Sequence, residues 1–385
     1  MIVDAEGRFF GFGNPTPEAG CLFRYDGQGT LEIDVPAGQT LYVGEAGYGD
    51  DSWRAYNSCV LAGHGPAPLE EFPAHWADME YCTWVEQKRL CQGAAPQSIL
   101  NDAFLDQYIK RISELGLPPG KLTIDHGWQS GDEDYGDWLP CGQKFRDFPG
   151  TLARVADQGF TPGLWMAPVW IHPRSALARK YPELLGPQIA PSNEDSPITG
   201  PTWNYLKACP QAEDALREVF ARFHAWGVRK FKFDMIYARK DEMRKLHAMI
   251  YRAVKSVSPE IEVEIHQPDI FFAAYGDAIR TNDVLCNTHY RWRELTADHL
   301  EVCEKSAPGR IINLDHIGGN DPAVTSEDFL AHLDFYRRVP GYPVVSLLGG
   351  NLDSRCYEEL RELCHEHVRA PNAVSRFYQT PQARV

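Results

Sequence analysis

The pattern that most constrains the fold is a regular alternation of strand and helix signals along about 290 residues of the chain. Eight short runs rich in β-branched and aromatic residues are each followed by residues with helical periodicity. We predict strands at Glu80–Glu86, Lys121–Asp125, Thr161–Ala167, Val228–Asp234, Ile261–His266, Ala278–Cys286, Arg310–Asp315 and Tyr342–Leu348. The count of eight such units favours an α/β fold of the closed (β/α)8 TIM-barrel type over an open doubly wound sheet. No glycine-rich phosphate loop follows any of the strands.

Two further regions flank the barrel pattern. Residues 1–78 contain short alternating runs and many turn residues, which predict a small N-terminal β domain. The catalytic barrel is expected over residues 79–370, and residues 371–385 are expected to form a C-terminal tail.

Charge and composition argue against several classes of partner. The chain has 38 lysine and arginine residues and 53 aspartate and glutamate residues, so its net charge is −15 and we expect no nucleic-acid or anionic-membrane partner. No apolar run approaches the ~20 residues that span a bilayer. The first seven residues lack the features of a signal peptide, and the ten cysteines form no CxxC pair. We therefore expect a cytoplasmic protein with reduced cysteines.

Acids, histidines and tryptophans are concentrated at the predicted strand ends. In a (β/α)8 barrel these ends meet at one mouth, where catalytic residues lie. A single acid at a strand end is often a helix cap, but seven of the eight ends carry such residues. They are Glu86, Asp125, His126, Trp165, Asp234, His266, Asp283, Asp315 and His316, and Met166 and Gln267 follow Trp165 and His266 at two of these ends. The sequence therefore predicts an active site at this mouth.

Two of the acids meet the requirements of a retaining glycosidase. Asp234 ends the fourth strand, and Lys232 lies two residues earlier on the same face, where its charge favours an ionised carboxylate. Asp283, near the sixth strand, is the candidate acid/base, facing Asp234 across ~5–5.5 Å. Asp269 and Asp277 lie nearby in the sequence and are alternatives for this second role.

Five segments in order along the chain resemble motifs of glycoside hydrolase clan D. They are Tyr81–Trp84, Leu122–Gln129, Gly163–Pro168, Lys230–Asp234 and Arg280–Asp283. The clan includes retaining α-galactosidases of families 27 and 36 and α-glucosidases or α-xylosidases of family 31. The resemblance covers residues 79–350 and implies a retaining exo-α-glycosidase that hydrolyses terminal α-linked sugars of an oligosaccharide or glycoside. It implies no cofactor and no metal.

The resemblance also assigns roles to individual residues. Asp234 matches the nucleophile of the clan, and Asp283 matches its acid/base. The substrate-binding residues that it implies are Asp125, His126, Trp128, Trp165, Lys232, His266, Arg280 and Asp315. His126 stands where many members of the clan have a second aspartate, so the choice between α-galactosides and α-glucosides stays open.

Two other functions stay open at this point. A non-catalytic carbohydrate-binding barrel fits the His126 substitution and an N-terminal region smaller than that of family 36. A metal-dependent barrel hydrolase would use the histidines of the mouth, but Lys232 beside Asp234 opposes a cation there. We also expect no C-terminal β-sandwich after the last helix, and the barrel face left exposed suggests a homo-oligomer.

Overall fold

A computed structural model gives the fold for most of the chain. It describes residues 2–3, 6–47, 49–62, 71–130, 135–188, 203–236, 238–266, 268–281, 292–318, 324–346, 348 and 352–375. The strands are β1 (Ile2–Val3), β2 (Phe9–Gly13), β3 (Leu22–Tyr25), β4 (Leu31–Asp34), β5 (Tyr42–Ala46), β6 (Glu80–Cys82), β7 (Lys121–Ile124), β8 (Thr161–Met166), β9 (Trp170–Ile171), β10 (Leu185–Gln188), β11 (Asn204–Leu206), β12 (Lys230–Phe233), β13 (Glu262–Ile265), β14 (Ala278–Arg280), β15 (Ile311–His316) and β16 (Tyr342–Val345). The helices are α1 (Gly49–Ala62), α2 (Thr83–Leu90), α3 (Asp102–Glu114), α4 (Phe148–Asp157), α5 (Ala176–Lys180), α6 (Pro210–Ala225), α7 (Lys240–Val257), α8 (Trp292–Ser306), α9 (Ser326–Arg338) and α10 (Ser354–Arg369).

Eight parallel strands form a closed barrel in the order β6, β7, β8, β12, β13, β14, β15 and β16. The pairing of β16 with β6 completes the ring. Alternate strand residues point outward, and their apolar side chains pack against the surrounding helices. Phe231 of β12, for example, lies 5.0 Å from Phe220 of α6 between ring centroids. The predicted TIM barrel is therefore confirmed.

The inward-facing side of the lower barrel is charged, whereas barrel interiors are usually filled by Val, Ile and Leu. Lys230 contacts the carboxylates of Glu264, on the neighbouring strand β13, and of Glu80, on β6, and all three side chains are almost completely buried. In the same part of the barrel, the Lys121 ammonium group lies 3.1 Å from Glu262. Each buried charge in these pairs contacts an opposite charge, which offsets the cost of removing it from water.

The first barrel strand differs from the prediction. It ends at Cys82, and helix α2 begins at Thr83, so Glu86 lies in a helix and not at a strand end. The buried Glu86 carboxylate accepts a hydrogen bond from the backbone amide of Leu348 at 2.8 Å. The β-rich composition of this segment was misleading because tertiary packing overrides local propensity. After β13, where the alternating pattern predicts a helix, the described residues form a 3₁₀ turn at Ala273–Tyr275.

The N-terminal region contains the expected antiparallel strands, with β1, β2 and β5 in one sheet and β3 and β4 in a hairpin. Helix α1, which the sequence pattern did not predict, packs on the first sheet. A Cβ atom on Gly11 would lie 2.6 Å from Ser52 Oγ, so glycine in β2 permits this close packing. The helix also contacts the barrel, because Trp53 Nε1 donates to the carbonyl of Lys305 at 3.1 Å.

The connection after β8 carries additional structure. Strands β9, β11 and β10 form a small antiparallel sheet, and α5 lies between β9 and β10. This connection follows the C-terminal end of a barrel strand and therefore lies on the mouth side of the barrel. Across the part of the chain that the structure describes, no helix is long and apolar enough to cross a membrane.

Candidate active site

Asp234 lies directly after β12, at the mouth of the barrel, and its carboxylate is held on both oxygens. Oδ1 accepts a hydrogen bond from the backbone amide of Met235 at 2.7 Å and lies 3.1 Å from His266 Nδ1. Oδ2 accepts from Trp165 Nε1 at 3.2 Å. The Asp234 side chain still keeps 17% of its surface exposed. The carboxylate is thus oriented by its neighbours and accessible from the mouth.

Met235 has a backbone φ of +58°. Residues with a side chain rarely adopt this left-handed conformation, which costs of order 1 kcal/mol and often marks functional sites. Here the conformation turns the chain immediately after Asp234 and brings the Met235 amide to the carboxylate. Local strain and carboxylate orientation therefore have the same structural origin.

The electrostatic surroundings keep Asp234 ionised. Burial alone would raise the pKa of this carboxyl, but the positive charges of His266, Arg280 and Lys232 outweigh burial and lower the pKa below its ordinary value. A carboxylate that is charged at neutral pH, oriented and accessible can act as a nucleophile or bind a cationic group.

Lys232 and Asp125 form a buried ion pair beside the nucleophile candidate. The Lys232 ammonium group lies 2.7 Å from Asp125 Oδ2, and the thiol of Cys82 lies 3.1 Å from the same oxygen. Burial lowers the pKa of Lys232, but the charge of Asp125 more than compensates and holds that pKa well above its ordinary value. Lys232 therefore supplies a permanent positive charge close to Asp234.

Arg280 and Asp315 lie on the opposite side of the mouth from this pair, at the ends of β14 and β15. Arg280 Nη1 lies 3.4 Å from Asp315 Oδ1, and its Nε lies 3.9 Å from Glu264 Oε1. Asp315 has a backbone φ of +62°, which is also in the left-handed region. Both side chains are more than nine-tenths buried, so they mainly contribute charge at the edge of the mouth. We call Arg280 and Asp315 the charged frame.

Aromatic rings surround the remaining accessible part of the mouth. The His126 imidazole packs on the Trp165 indole with 4.7 Å between ring centroids, and its Nε2 lies 3.2 Å from the Tyr135 hydroxyl. Trp84, at the start of α2, lies 6.2 Å from His126 and is partly exposed. Of these rings, Trp84 and His126 are partly exposed and can stack on the apolar face of a sugar, whereas Trp165 and Tyr135 are almost fully buried. Trp84 and Tyr135 were not among the predicted site residues, although Trp84 ends the Tyr81–Trp84 segment that resembled a clan D motif.

The structure does not bring every predicted residue to the mouth. Trp128 is fully buried, packs against Phe148 and Phe223, and donates from Nε1 to the carbonyl of Trp165 at 2.8 Å. Its position in the core corrects the expectation that it faces the substrate. The predicted acid/base, Asp283, lies outside the described residues.

The two alternative acids lie in different places. Asp277 precedes β14 and is therefore at the opposite end of the barrel from the mouth, where it pairs with Lys255. Asp269 follows β13 on the mouth side, and its carboxylate lies 2.7 Å from the ammonium group of Lys240. Among the described residues, no group of three or more His, Cys, Asp or Glu side chains could hold a metal ion.

Comparison with solved structures identifies proteins with the same fold, whereas no family model matches the sequence. An α-galactosidase from Thermus thermophilus, solved with p-nitrophenyl α-D-galactopyranoside, has a TM-score of 0.64 at 16% identity, covering 94% of this chain and 74% of its own. A family 31 dextranase from Flavobacterium johnsoniae, solved with glucose, has a TM-score of 0.65 at 14% identity, covering 92% and 46%. A family 36 α-galactosidase from Geobacillus stearothermophilus, solved with 1-deoxygalactonojirimycin, has a TM-score of 0.60 at 13% identity, covering 95% and 54%.

These likenesses confirm the predicted resemblance to clan D at the level of the fold. The chain covers about half the length of the last two proteins. At identities of 13–16%, these comparisons show that the fold is shared, and they do not determine the activity or the sugar.

Proposed function

We propose that this protein is a retaining exo-α-glycosidase in which Asp234 is the nucleophile. The observation that carries the proposal is the state of this carboxylate at the barrel mouth, where it is ionised, oriented by three groups and accessible. A nucleophile in double displacement needs these properties together, because it must attack from a fixed position while charged. The glycosidase-like fold of the structural neighbours supports this interpretation.

The reaction has two steps. Asp234 attacks the anomeric carbon of an α-linked sugar and forms a β-linked glycosyl-enzyme, while a general acid protonates the leaving oxygen. The same group then acts as a base and removes a proton from the water that hydrolyses the intermediate. We assign this second role to Asp283 on the clan D resemblance, since residue 283 lies outside the described part of the chain.

The substrate would bind between the aromatic rings and the charged frame. The partly exposed His126 ring packs on the Trp165 indole, which is almost fully buried beside Asp234, and the ion pair of Lys232 with Asp125 supplies buried charge next to them. Carboxylates and cations at fixed positions select the orientation of sugar hydroxyls. We propose an oligosaccharide or glycoside with a terminal α-linked sugar as substrate, with α-galactosides and α-glucosides as the first to be tested.

The test is chemical rescue of an Asp234→Gly variant. We expect the variant to lose activity on aryl α-glycosides by about 10³-fold or more. Azide should then restore turnover from the face that the missing carboxylate leaves open, giving a β-glycosyl azide. The matched control is Asp269→Gly, which removes a nearby acid that pairs with Lys240. Wild-type-like activity of Asp234→Gly, or rescue that occurs only in Asp269→Gly, would contradict the assignment.

One observation favours a second function, that of a carbohydrate-binding barrel without catalysis. The side chains of Asp125, Arg280 and Asp315 are more than nine-tenths buried, so few of the expected polar groups face the mouth. Intact binding of α-glycosides by calorimetry, without turnover of any aryl α-glycoside, would support this second function. The cytoplasmic location and the homo-oligomer stay predictions.

A further inference from the structure

A cleft outside the barrel mouth lies between helices α5 and α6. Its volume is about 550 Å³, which is within the ~300–1,000 Å³ that small-molecule sites occupy. One wall is a single face of α6, because Gln211, Ala215, Glu218 and Arg222 follow one another at spacings of three and four residues. The opposite wall is formed by α5 and by Tyr181, which follows it. We call this region the α5–α6 cleft.

The loop that follows β7 ties the two helices together. The Asp137 carboxylate accepts hydrogen bonds from the backbone amides of Ala176 at 2.7 Å and Leu177 at 3.0 Å, at the start of α5. Arg222 of α6 donates from Nη2 to the carbonyls of Asp137 and Trp138 at 3.1 and 3.0 Å. Because one loop is bonded to both helices, the cleft has a defined shape before a ligand binds, and pre-formed sites lose little ordering entropy on binding.

The same loop connects the cleft to the mouth. Tyr135, whose hydroxyl lies 3.2 Å from His126 Nε2, directly precedes Gly136, which lines the cleft. Gly136 has a φ of +102°, and a Cβ atom there would lie 2.7 Å from Ile171 Cγ1, so this close approach requires glycine. The mouth and the cleft therefore have consecutive residues of one loop in their walls.

The lining of the cleft combines charges of both signs with apolar surface. The charged residues of the lining are Asp137, Asp214, Glu218, Lys180 and Arg222. The Lys180 ammonium group lies 4.8 Å from the centre of the Tyr181 ring, so a hydrogen-bond donor and an aromatic surface lie side by side. Leu139, at another edge of the cleft, is 45% exposed. Because the opposite charges nearly balance, the lining favours a polar ligand without a large net charge.

We propose that the α5–α6 cleft is a second carbohydrate-binding site, which binds a neutral oligosaccharide. The choice of a sugar as ligand rests on the proposed function. A sugar has an apolar ring face that can pack on Tyr181 and Leu139, and its hydroxyl groups can donate to carboxylates and accept from cations. An oligosaccharide held in the cleft has a raised local concentration at the mouth beside it.

The test is a binding titration with the cleft filled. In the Asp234→Gly background, which prevents turnover, calorimetry with stachyose or isomaltotetraose measures binding at the mouth and the cleft together. Ala215→Trp places an indole in the cleft and should abolish the cleft component, whereas Ala221→Trp adds the same side chain to another, exposed face of α6 and should retain it. Hydrogen-exchange mass spectrometry should show sugar-dependent protection of residues 210–222, which Ala215→Trp loses.

A second variant tests the cleft without filling it. The Lys180 side chain is exposed, so its removal should leave the fold intact, and loss of its hydrogen bond to a hydroxyl should weaken sugar binding in the cleft about 10-fold. The control is Arg179→Ala, which removes a neighbouring exposed cation of α5 and should leave this binding unchanged.

The outcomes separate the cleft site from the proposed function. Equal sugar binding and protection in Ala215→Trp and Ala221→Trp, both folded by thermal unfolding, would overturn the cleft site. If Ala215→Trp does not fold, unchanged binding in Lys180→Ala would overturn it instead. Tighter binding of spermidine than of either sugar would overturn the ligand class. If azide fails to rescue Asp234→Gly while Ala215→Trp alone loses sugar binding, the proposed function fails and the cleft site stands.

Discussion

The lower interior of the barrel and its mouth use charged side chains for opposite purposes. Lys230 and Asp234 lie four residues apart along the same strand and its C-terminal end. Lys230 is fully buried, and its ammonium group contacts two carboxylates and the Tyr342 hydroxyl. Asp234 is partly exposed, and its contacts come from an indole, a backbone amide and a histidine. In the lower barrel each charge is neutralised by its partners, whereas at the mouth the Asp234 carboxylate remains accessible to a ligand.

The surroundings of a buried charge indicate whether it is structural or functional. A charge sealed among opposite charges is a structural group, because its pairing offsets the cost of burial and leaves nothing for a ligand. The mouth combines an accessible carboxylate with two strained backbone positions, Met235 and Asp315. Strain of this kind persists only where surrounding packing enforces it, and it accompanies binding and catalytic sites. We therefore expect substitutions in the two regions to affect different measured quantities.

The largest effect should come from Lys230→Met in the lower barrel. The substitution leaves Glu80 and Glu264 facing each other without their shared cation, and breaking such a buried pair costs about 3–5 kcal/mol of unfolding free energy. Urea unfolding followed by circular dichroism measures this loss. The matched control is Lys240→Met, which removes an exposed partner of Asp269 and should cost at most about 1 kcal/mol. Similar losses of unfolding free energy in the two variants would show that the charges of the lower barrel are not shielded from water.

A second prediction concerns the pH dependence of stability in the lower barrel. Burial raises the pKa of Glu262 to about 7, although the charges of Lys121 and Lys230 lower it and those of Glu264 and Glu80 raise it. Between the ordinary pKa of 4.5 and about 7, the folded protein keeps a proton that the unfolded chain has released. This contribution to stability is complete below that window and is lost as the pH rises through it.

The variant Glu262→Gln does not titrate and should remove this dependence. Relative to the variant, the wild type should lose up to about 3 kcal/mol of unfolding free energy between pH about 5 and about 8. Urea unfolding at several pH values gives the difference, with the exposed Glu242→Gln as control. A pH-independent difference between wild type and Glu262→Gln would place the titration elsewhere in the barrel.

Most of the barrel could be predicted from the sequence because its signal is local and repeated. The strand and helix periodicities of segments such as Lys230–Asp234 and α6 depend on residues close in the chain. The contacts inside the barrel could not be predicted in this way, since Lys230 and Glu80 are 150 residues apart and meet only through the strand register. The strand boundary at Cys82 was missed because a β-rich composition continues into a helix.

The candidate site was predictable in part for a related reason. The position of Asp234 follows from its place at the end of a predicted strand, whereas the alternative acid Asp277 precedes the predicted strand Ala278–Cys286 and lies at the opposite end of the barrel. Trp128 was expected at the mouth and is in the core. The chain turns between His126 and Trp128 at Gly127, which has a φ of +121° and approaches the backbone of Gln97, a contact that composition does not reveal.

At the mouth, Trp165→Phe should reduce activity more than stability. The substitution removes the indole donor to Asp234 Oδ2, and we expect kcat/KM to fall about 10- to 100-fold because the carboxylate loses a contact that orients it for attack. Steady-state kinetics on an aryl α-glycoside and thermal unfolding measure the two effects. The control is Trp138→Phe, which removes a similar buried indole donor to the carbonyl of Ala167. It should cost comparable stability with unchanged kcat/KM, and equal kinetic losses in both variants would contradict the distinction between core and mouth.

The smallest effect should come from the strained backbone at Met235. Glycine adopts a φ of +58° without steric cost, so Met235→Gly should be more stable than Met235→Ala by about 1 kcal/mol, since both variants remove the side chain and only one relieves the backbone. Urea unfolding of the two variants measures this difference. Because glycine also loosens the amide that contacts Oδ1, kcat should be lower for Met235→Gly than for Met235→Ala, although its fold is the more stable. An alanine variant that is both more stable and more active would mean that Met235 is not strained, and that strain does not distinguish the mouth from the sealed interior.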